Sequence, residues 1–121
     1  MSRQLLIDAL RSPVRPTVSV EFFPPKDAEG GARMLKVAAT LQPLGIDFAS
    51  LTYGAGGTSR DTTITYGAEL VKMGIPLIGH LTCVGHARSE LAGIIGQYDQ
   101  AGFSGILALR GDPPKDRKSV V

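Results

Sequence analysis

The sequence is poor in cysteine and in long apolar runs. Cys83 is its one cysteine, so no intrachain disulfide can form, and a reducing, cytoplasmic setting is the expected one. No apolar run approaches the roughly 20 residues that a membrane-spanning helix needs. Leu5, Leu6 and Ile7 are followed at once by Asp8, so the apolar centre of a signal peptide is missing. We therefore expect neither a secretory leader nor a membrane anchor.

The sequence also lacks a large excess of either basic or acidic residues. The chain has 13 basic and 11 acidic residues, a net charge of +2, mixed along its length. It shows no basic stripe of the kind that binds a phosphate backbone, and the local excess at residues 115–118 is typical of a solvated tail. Apolar residues make up 43% of the 121 residues, as in a globular domain. The composition argues against nucleic-acid binding.

Three glycines, Gly45, Gly74 and Gly102, recur about thirty residues apart. Each follows a segment with helical apolar periodicity, as a glycine that ends a helix does. The predicted apolar stripes are Met34, Val37, Ala38 and Leu41; Ile64, Ala68 and Val71; and Leu91, Ile95 and Tyr98. We also expect Pro43 to end or distort the first of these helices.

Apolar segments between these helices predict four strands, at residues 17–23, 47–53, 77–82 and 106–110. A short helix at residues 1–10 precedes them, and residues 1–16 form this leading helix and its linker. Strands that alternate with helices predict a parallel α/β architecture with right-handed crossovers. Four such units are about half of what a closed eight-stranded barrel contains.

A polar residue lies near the end of each predicted strand: Glu21, Thr52, His80 and Arg110. Parallel strands end at the same rim of a sheet, where active sites are usually built. Alternation along each strand predicts that one face also holds Ser19, Ser50, Ile78, Ile106 and Ala108. It assigns Leu107 and Leu109 to the opposite face, which the helices should cover.

Glu21 is the least usual of these residues. A carboxyl group directly after an apolar strand is costly unless it is solvated or hydrogen-bonded. If it is partly buried, it can hold a proton near neutral pH and act as a general acid. If it faces solvent, it is a strand-end glutamate, and Pro24 and Pro25 simply stop the strand. The residues alone leave both interpretations open.

Two loops after the strands have similarly open interpretations. Residues 52–59 form a glycine-rich loop before a helix, which suits either close approach of a ligand to backbone N–H groups or a tight turn. The spacing matches neither a P-loop nor a dinucleotide fingerprint. In the other loop, Arg110 can fork onto phosphate or carboxylate groups and Asp112 can accept from an N–H-rich heterocycle; the alternative is an internal pair between them.

His80, Cys83 and His86 are the candidate metal ligands. None of them has the spacing of a zinc finger, and His80 and Cys83 fall on opposite faces if one strand runs through both. We therefore expect no metal site, with His80 as a polar or ligand-contacting residue and Cys83 packed.

Four motifs in register resemble the methylenetetrahydrofolate reductase family. They are residues 20–26 (VEFFPPK), 51–57 (LTYGAGG), 80–83 (HLTC) and 108–112 (ALRGD). The resemblance runs from about Thr17 to Pro114. It implies a flavin enzyme with the (β/α)₈ TIM-barrel fold, in which FAD takes a hydride from NADH or NADPH. The hydride then reduces 5,10-methylenetetrahydrofolate to 5-methyltetrahydrofolate for methionine synthesis.

The resemblance also implies roles for individual residues. Glu21 matches the family's essential acid, which assists opening of the folate's five-membered ring to an iminium ion. Asp112 matches an aspartate near both the flavin and the folate, with a catalytic and substrate-binding role. The positions that match flavin contacts are Thr52, Tyr53, Ala55, His80, Arg110, Gly111 and Asp112.

The length departs from the family pattern, because a full barrel needs about 250 residues. Residues 1–121 would supply the N-terminal half of the barrel. An open half-barrel exposes sheet edges and apolar faces, so we expect it to form homo-oligomers or to need the other half. The alternative is a non-catalytic half-barrel that binds ligand weakly or assembles with a partner.

Overall fold

A computed structural model describes residues 2–11, 14–52 and 57–111 of the chain. Strands and helices alternate through this range. The strands are β1 (Ser19–Phe22), β2 (Phe48–Leu51), β3 (Leu77–Thr82) and β4 (Gly105–Leu109), and the helices are α1 (Ser2–Arg11), α2 (Ala28–Leu41), α3 (Gly57–Lys72) and α4 (Arg88–Gln100). The predicted order of elements is confirmed. None of the described helices combines the length and apolar character that crossing a membrane requires.

The four strands form one parallel sheet in the order β1-β2-β3-β4. Spatial order therefore equals chain order, and each helix returns the chain to the next strand along. Right-handed crossovers of this kind place α2, α3 and α4 over the same face of the sheet. The predicted parallel α/β architecture is confirmed, and the sheet keeps one face clear of these three helices.

A single core lies between the sheet and the helices. Its strand residues alternate along β2 and β3, as side chains on one face of a strand must. The core consists of Met34, Ala38, Ala49, Leu51, Leu70, Ile75, Leu77, Leu81, Ile94, Tyr98 and Phe103.

Two predicted stripe positions are wrong. Val37 is 49% exposed and Ile95 is 44% exposed, whereas Ile94 is 2% exposed. The face of α4 that packs on the sheet runs through Leu91, Ile94 and Tyr98, which repeat at three- and four-residue intervals. Ile95 lies one position further around the helix, and its side chain therefore points away from the core.

The helix ends follow from local sequence. The Asp27 side chain accepts a 2.6 Å hydrogen bond from the backbone N–H of Gly30 and so caps α2. The chain continues as a one-turn 3₁₀ helix at Gln42–Leu44, as expected from Pro43. Gly45, Gly74 and Gly102 then take left-handed φ values of 91°, 88° and 87°. The prediction that these glycines end the helices is confirmed.

An ion pair ties the segment before β1 to the start of β2. Arg15 Nη2 lies 2.5 Å from Asp47 Oδ1, and Arg15 Nη1 lies 3.0 Å from Oδ2. The backbone N–H of Val18 donates to Oδ2 over 2.9 Å. The hydrogen bonds from Arg15, and then the one from Val18, hold the pKa of the Asp47 carboxyl below its usual value. This contact lies at the end of the sheet opposite to the predicted site.

Candidate active site

Glu21, Ser50 and His80 meet on the sheet face that α2, α3 and α4 leave clear. Glu21 is paired with Ser50 across β1 and β2, and Ser50 is paired with Ile78, two residues before His80. Paired residues of parallel strands share a face. Ser50 Oγ donates to Glu21 Oε1 over 3.3 Å, and His80 Nε2 lies 3.2 Å from the same oxygen.

His80 is held in place from the opposite face of the sheet. The hydroxyl of Tyr98, on α4, donates to the backbone carbonyl of His80 over 2.9 Å. The Tyr98 ring stacks on Phe103 with 4.7 Å between centroids. A Cβ atom at Gly79 would lie 2.7 Å from each of these rings. Glycine at position 79 therefore allows the stack to press against β3 directly behind His80.

The His80 ring is almost completely buried, with 10% of its side chain exposed. Its Nε2 atom has no aligned hydrogen bond within the described part of the chain. His80 Nε2 and Glu21 Oε1 therefore approach to 3.2 Å without forming an aligned hydrogen bond. The Glu21 side chain is 49% exposed, so its carboxyl remains open to a ligand on this face. A carboxyl held on one side and open on the other can exchange a proton with a bound molecule.

Two further polar residues lie at the ends of strands. The backbone N–H of Thr52 donates to Phe22 over 2.9 Å, and its carbonyl accepts from Thr63 Oγ1 on α3 over 3.2 Å. Arg110 is exposed directly after β4, and its carbonyl accepts from the N–H of Val84 over 3.0 Å. The loops after β3 and β4 are thus joined, and the predicted rim is present.

The predicted faces of β4 are wrong. His80 is paired with Leu107, and Leu81 with Ala108. Leu107 therefore shares the clear face with Glu21 and His80, while Ile106 and Ala108 face the helices. Counting back from Arg110 failed because Arg110 lies beyond the end of β4, so it does not share the alternation of the strand residues before it. The clear face consequently carries leucines, and Leu107 and Leu109 are 44% and 37% exposed.

The packed position expected for Cys83 is also wrong, because its side chain is exposed directly after β3. His86 lies beyond it, with Nδ1 3.5 Å from Oε2 of Glu90 on α4. Within the described ranges, no three His, Cys, Asp or Glu side chains are grouped so as to hold a metal ion.

Comparison with known proteins assigns the chain to a family. The family model for methylenetetrahydrofolate reductase matches residues 6–121. The chain belongs to this family. It is 38% identical over 99 residues to 5,10-methylenetetrahydrofolate reductase of Salmonella typhimurium. The aligned residues make up 80% of this chain and 33% of that protein. The corresponding protein of Pectobacterium carotovorum is 35% identical over 103 residues, 84% of this chain and 35% of that protein.

A plant relative extends the comparison. The maize protein named methylenetetrahydrofolate reductase (NADH) 1 is 31% identical over 108 residues, 88% of this chain and 18% of that protein. The chain thus spans about a third of the length of the bacterial relatives and less than a fifth of the maize relative. The resemblance noted from the four motifs is confirmed.

The structure places some of the residues that the reductase family resemblance singles out. Glu21 and His80 are brought into contact, while Thr52, Arg110 and Gly111 lie at the ends of β2 and β4. Gly111 has a left-handed φ of 90°, and a Cβ atom there would lie 2.4 Å from Val84. Three other expected site residues lie outside the described residues: Tyr53, Ala55 and Asp112.

Sequence reasoning placed Ser50 on the face of Glu21 but assigned it no role. The predicted strands end at residues 23 and 53, so Glu21 lies two residues and Ser50 three residues before the end, which does not mark them as neighbours. The sequence does not give the register between β1 and β2, and this register makes the two side chains direct neighbours.

Proposed function

We propose that this chain supplies the N-terminal part of the barrel of a flavin-dependent methylenetetrahydrofolate reductase. The complete enzyme takes electrons from NADH or NADPH and converts 5,10-methylenetetrahydrofolate to 5-methyltetrahydrofolate, within one-carbon metabolism. Residues 1–16 are the leading helix and linker of this part. The name of the maize relative specifies NADH, and the donor of this chain is one of the two nicotinamides.

The contact among Glu21, Ser50 and His80 carries the proposal. It presents a half-exposed carboxyl on the clear face of a parallel sheet, next to a buried imidazole. Such a group suits general acid catalysis. Glu21 gives its proton to the departing ring nitrogen of the folate as the carbon–nitrogen bond breaks, and the electron pair of that bond goes to the nitrogen. The other nitrogen bonded to this carbon shares its lone pair to form the C=N bond of an iminium ion, which then accepts a hydride.

The residues of the clear face and the rim fit a flavin. His80 Nε2 is a buried polar atom without an aligned partner in the described part of the chain, and Leu107 and Leu109 offer exposed apolar surface beside it. Arg110 and Thr52 add donors of the kind that flavin oxygens and phosphates accept. FAD, when bound, supplies hydride transfer between the nicotinamide and the folate.

The residues that would hold this cofactor are Thr52, His80, Arg110 and Gly111. Tyr53, Ala55 and Asp112 join them by family resemblance, and Asp112 would also contact the folate. The protein contributes orientation and electrostatics in this scheme, and the redox chemistry belongs to the cofactor.

The open edges of the sheet support a need for further strands. Among the described residues, β1 and β4 are each paired with a neighbouring strand on one side, and unpaired strand edges with exposed apolar residues invite further pairing. We propose that the remaining strands of the barrel, in the same polypeptide or in a partner, cover these edges.

Glu21→Gln in the complete reductase tests the proposal. We expect the variant to retain flavin reduction by the nicotinamide and to lose folate-dependent reoxidation by about a hundredfold or more, because the amide cannot replace a general acid. Each half-reaction is followed separately, under anaerobic conditions, by the absorbance of the flavin. Glu29→Gln is the matched control, since Glu29 is an exposed residue of α2 paired with Arg33.

Three results would contradict the proposal. The first result is an unsubstituted protein that does not reduce methylenetetrahydrofolate. Equal loss of both half-reactions in Glu21→Gln is the second, because it would indicate disruption of the site rather than removal of an acid. Full folate reduction by that variant is the third.

A further inference from the structure

We propose that Ser50 is a positioning residue that holds Oε1 of Glu21 and so leaves the transferable proton on Oε2. The inference rests on the proposed function, because it concerns the acid of that reaction. It assigns a role to a strand residue that neither touches the reacting atoms nor belongs to the flavin-contacting set.

The geometry singles out one of the two carboxyl oxygens. Ser50 Oγ and His80 Nε2 lie 3.3 Å and 3.2 Å from Glu21 Oε1. The Ser50 hydroxyl is a donor with a free rotation, and a carboxylic acid accepts hydrogen bonds best at its carbonyl oxygen. When Glu21 is protonated, Oε1 is therefore the carbonyl oxygen and Oε2 carries the proton.

The direction of proton transfer follows from this choice. The O–H bond at Oε2 breaks and an N–H bond forms on the folate nitrogen that leaves, while the negative charge that develops is shared with Oε1. There the hydroxyl of Ser50 stabilises it through a charge-assisted hydrogen bond, which is stronger than the bond to the neutral acid. Ser50 thus acts on the proton-transfer step more than on folate binding.

Ser50 is suited to hold Glu21 because its backbone is fixed. It lies in an inner strand, between Ala49 and Leu51, which are both 0% exposed. Its partner across the sheet is Glu21 itself, and adjacent strands lie about 4.8 Å apart. A short hydroxyl side chain spans that separation, whereas alanine at position 50 leaves Oε1 beside His80 Nε2 alone, which makes no aligned hydrogen bond with it.

Ser50 is a sharper test than His80, because His80 is also expected to contact the flavin. The complete reductase is compared with Ser50→Ala, Ser50→Thr and the control Ser19→Ala. Ser19 lies two residues before Glu21 in β1, on the same face, and is exposed. The two half-reactions are measured separately, and the folate half-reaction is measured across folate concentrations to separate the saturating rate from the KM.

We expect Ser50→Ala to lower the saturating rate of the folate half-reaction roughly fivefold to tenfold, because the hydrogen bond that is lost is stronger to the charged carboxylate than to the neutral acid by about that factor. The KM for folate and the rate of flavin reduction should stay within about twofold. Ser50→Thr keeps the hydroxyl and should recover most of the rate, and Ser19→Ala should match the unsubstituted protein.

A second measurement does not depend on turnover. In the 121-residue chain, the side-chain carboxyl carbon of Glu21 is observed by ¹³C NMR and assigned by its loss in Glu21→Gln. We expect Ser50→Ala to move this resonance and Ser19→Ala to leave it in place.

The outcomes separate the inference from the proposed function. An unsubstituted reductase without folate reduction would overturn the proposed function, and the carboxyl resonance would still decide whether Ser50 holds Glu21. A normal folate rate in Ser50→Ala, or an unmoved resonance, would overturn the positioning role. Equal losses in both half-reactions, or no recovery in Ser50→Thr, would overturn it as well.

Discussion

Replacing Gly79 by alanine would add a methyl group where β3 meets the stacked rings of Tyr98 and Phe103. The new Cβ atom would lie 2.7 Å from Cε2 of Tyr98 and 2.7 Å from Cδ2 of Phe103, against an optimal carbon–carbon separation of about 3.5–4.0 Å. Tyr98 is 1% exposed and Phe103 is 4% exposed, so both rings are packed among other residues. The strand or the ring stack must move.

The magnitude follows from two opposing effects. Overpacking of a buried site costs about 1–3 kcal/mol, and the smaller conformational freedom of alanine in the unfolded chain offsets about 0.4–1 kcal/mol. We expect the free energy of unfolding to fall by about 1–2 kcal/mol. His80 should also be disturbed, since it follows Gly79 directly and its carbonyl accepts from Tyr98.

Urea unfolding of the 121-residue chain, followed by circular dichroism, measures this change. Gly93→Ala is the matched control, because Gly93 is an exposed position of α4 and its added Cβ atom would meet no other atom within 4 Å. It should raise the stability by about 0.5–1 kcal/mol, the helix-propensity difference between glycine and alanine. A Gly79→Ala variant as stable as the unsubstituted chain, with Gly93→Ala stabilised as expected, would show that no steric clash occurs at position 79.

Two smaller changes test other contacts. Tyr98→Phe should lower the free energy of unfolding by about 1 kcal/mol, because the His80 carbonyl loses its 2.9 Å hydrogen bond; an unchanged urea midpoint would contradict this. The pKa of Asp47 is lower in the folded chain than in the unfolded chain, where an aspartate has a pKa near 3.9. Its contact with Arg15 and Val18 therefore contributes its full stability above the unfolded-state pKa. This contribution is lost as the pH falls through the folded-state pKa. Asp47→Asn should therefore flatten the acid limb of a plot of urea midpoint against pH, and an equally steep limb in that variant would count against the assignment.

The order of elements and the helix ends were accessible from the sequence because they depend on neighbouring residues. Gly45, Gly74 and Gly102 can adopt a left-handed φ at little steric cost, and Pro43 cannot continue a regular helix. Asp27 caps α2 through a hydrogen bond that spans only three residues. Each of these interactions is local. The glycines and Pro43 were predicted from the sequence, and the cap by Asp27, which was not, depends on equally close neighbours.

The site was predictable in part. Glu21 and His80 were identified as strand-end residues and are in contact. The faces of β4 and the exposure of Cys83 were not predicted correctly. The faces of β4 were counted from Arg110, which lies outside the strand, and alternation carried that one wrong assignment to every residue before it. Leu107 consequently lies on the face that had been assigned to Ala108.

The amino-acid sequence was sufficient for the parallel α/β class, for the thirty-residue repeat and, through four motifs, for the family. These features lie in residue types and their spacing along the chain. The tertiary structure alone decided that Ser50 and His80 share one oxygen of Glu21, and that Tyr98 supports His80 through the space left by Gly79. Those contacts join residues from different strands and helices, and their distances are set by strand register and by packing across the sheet.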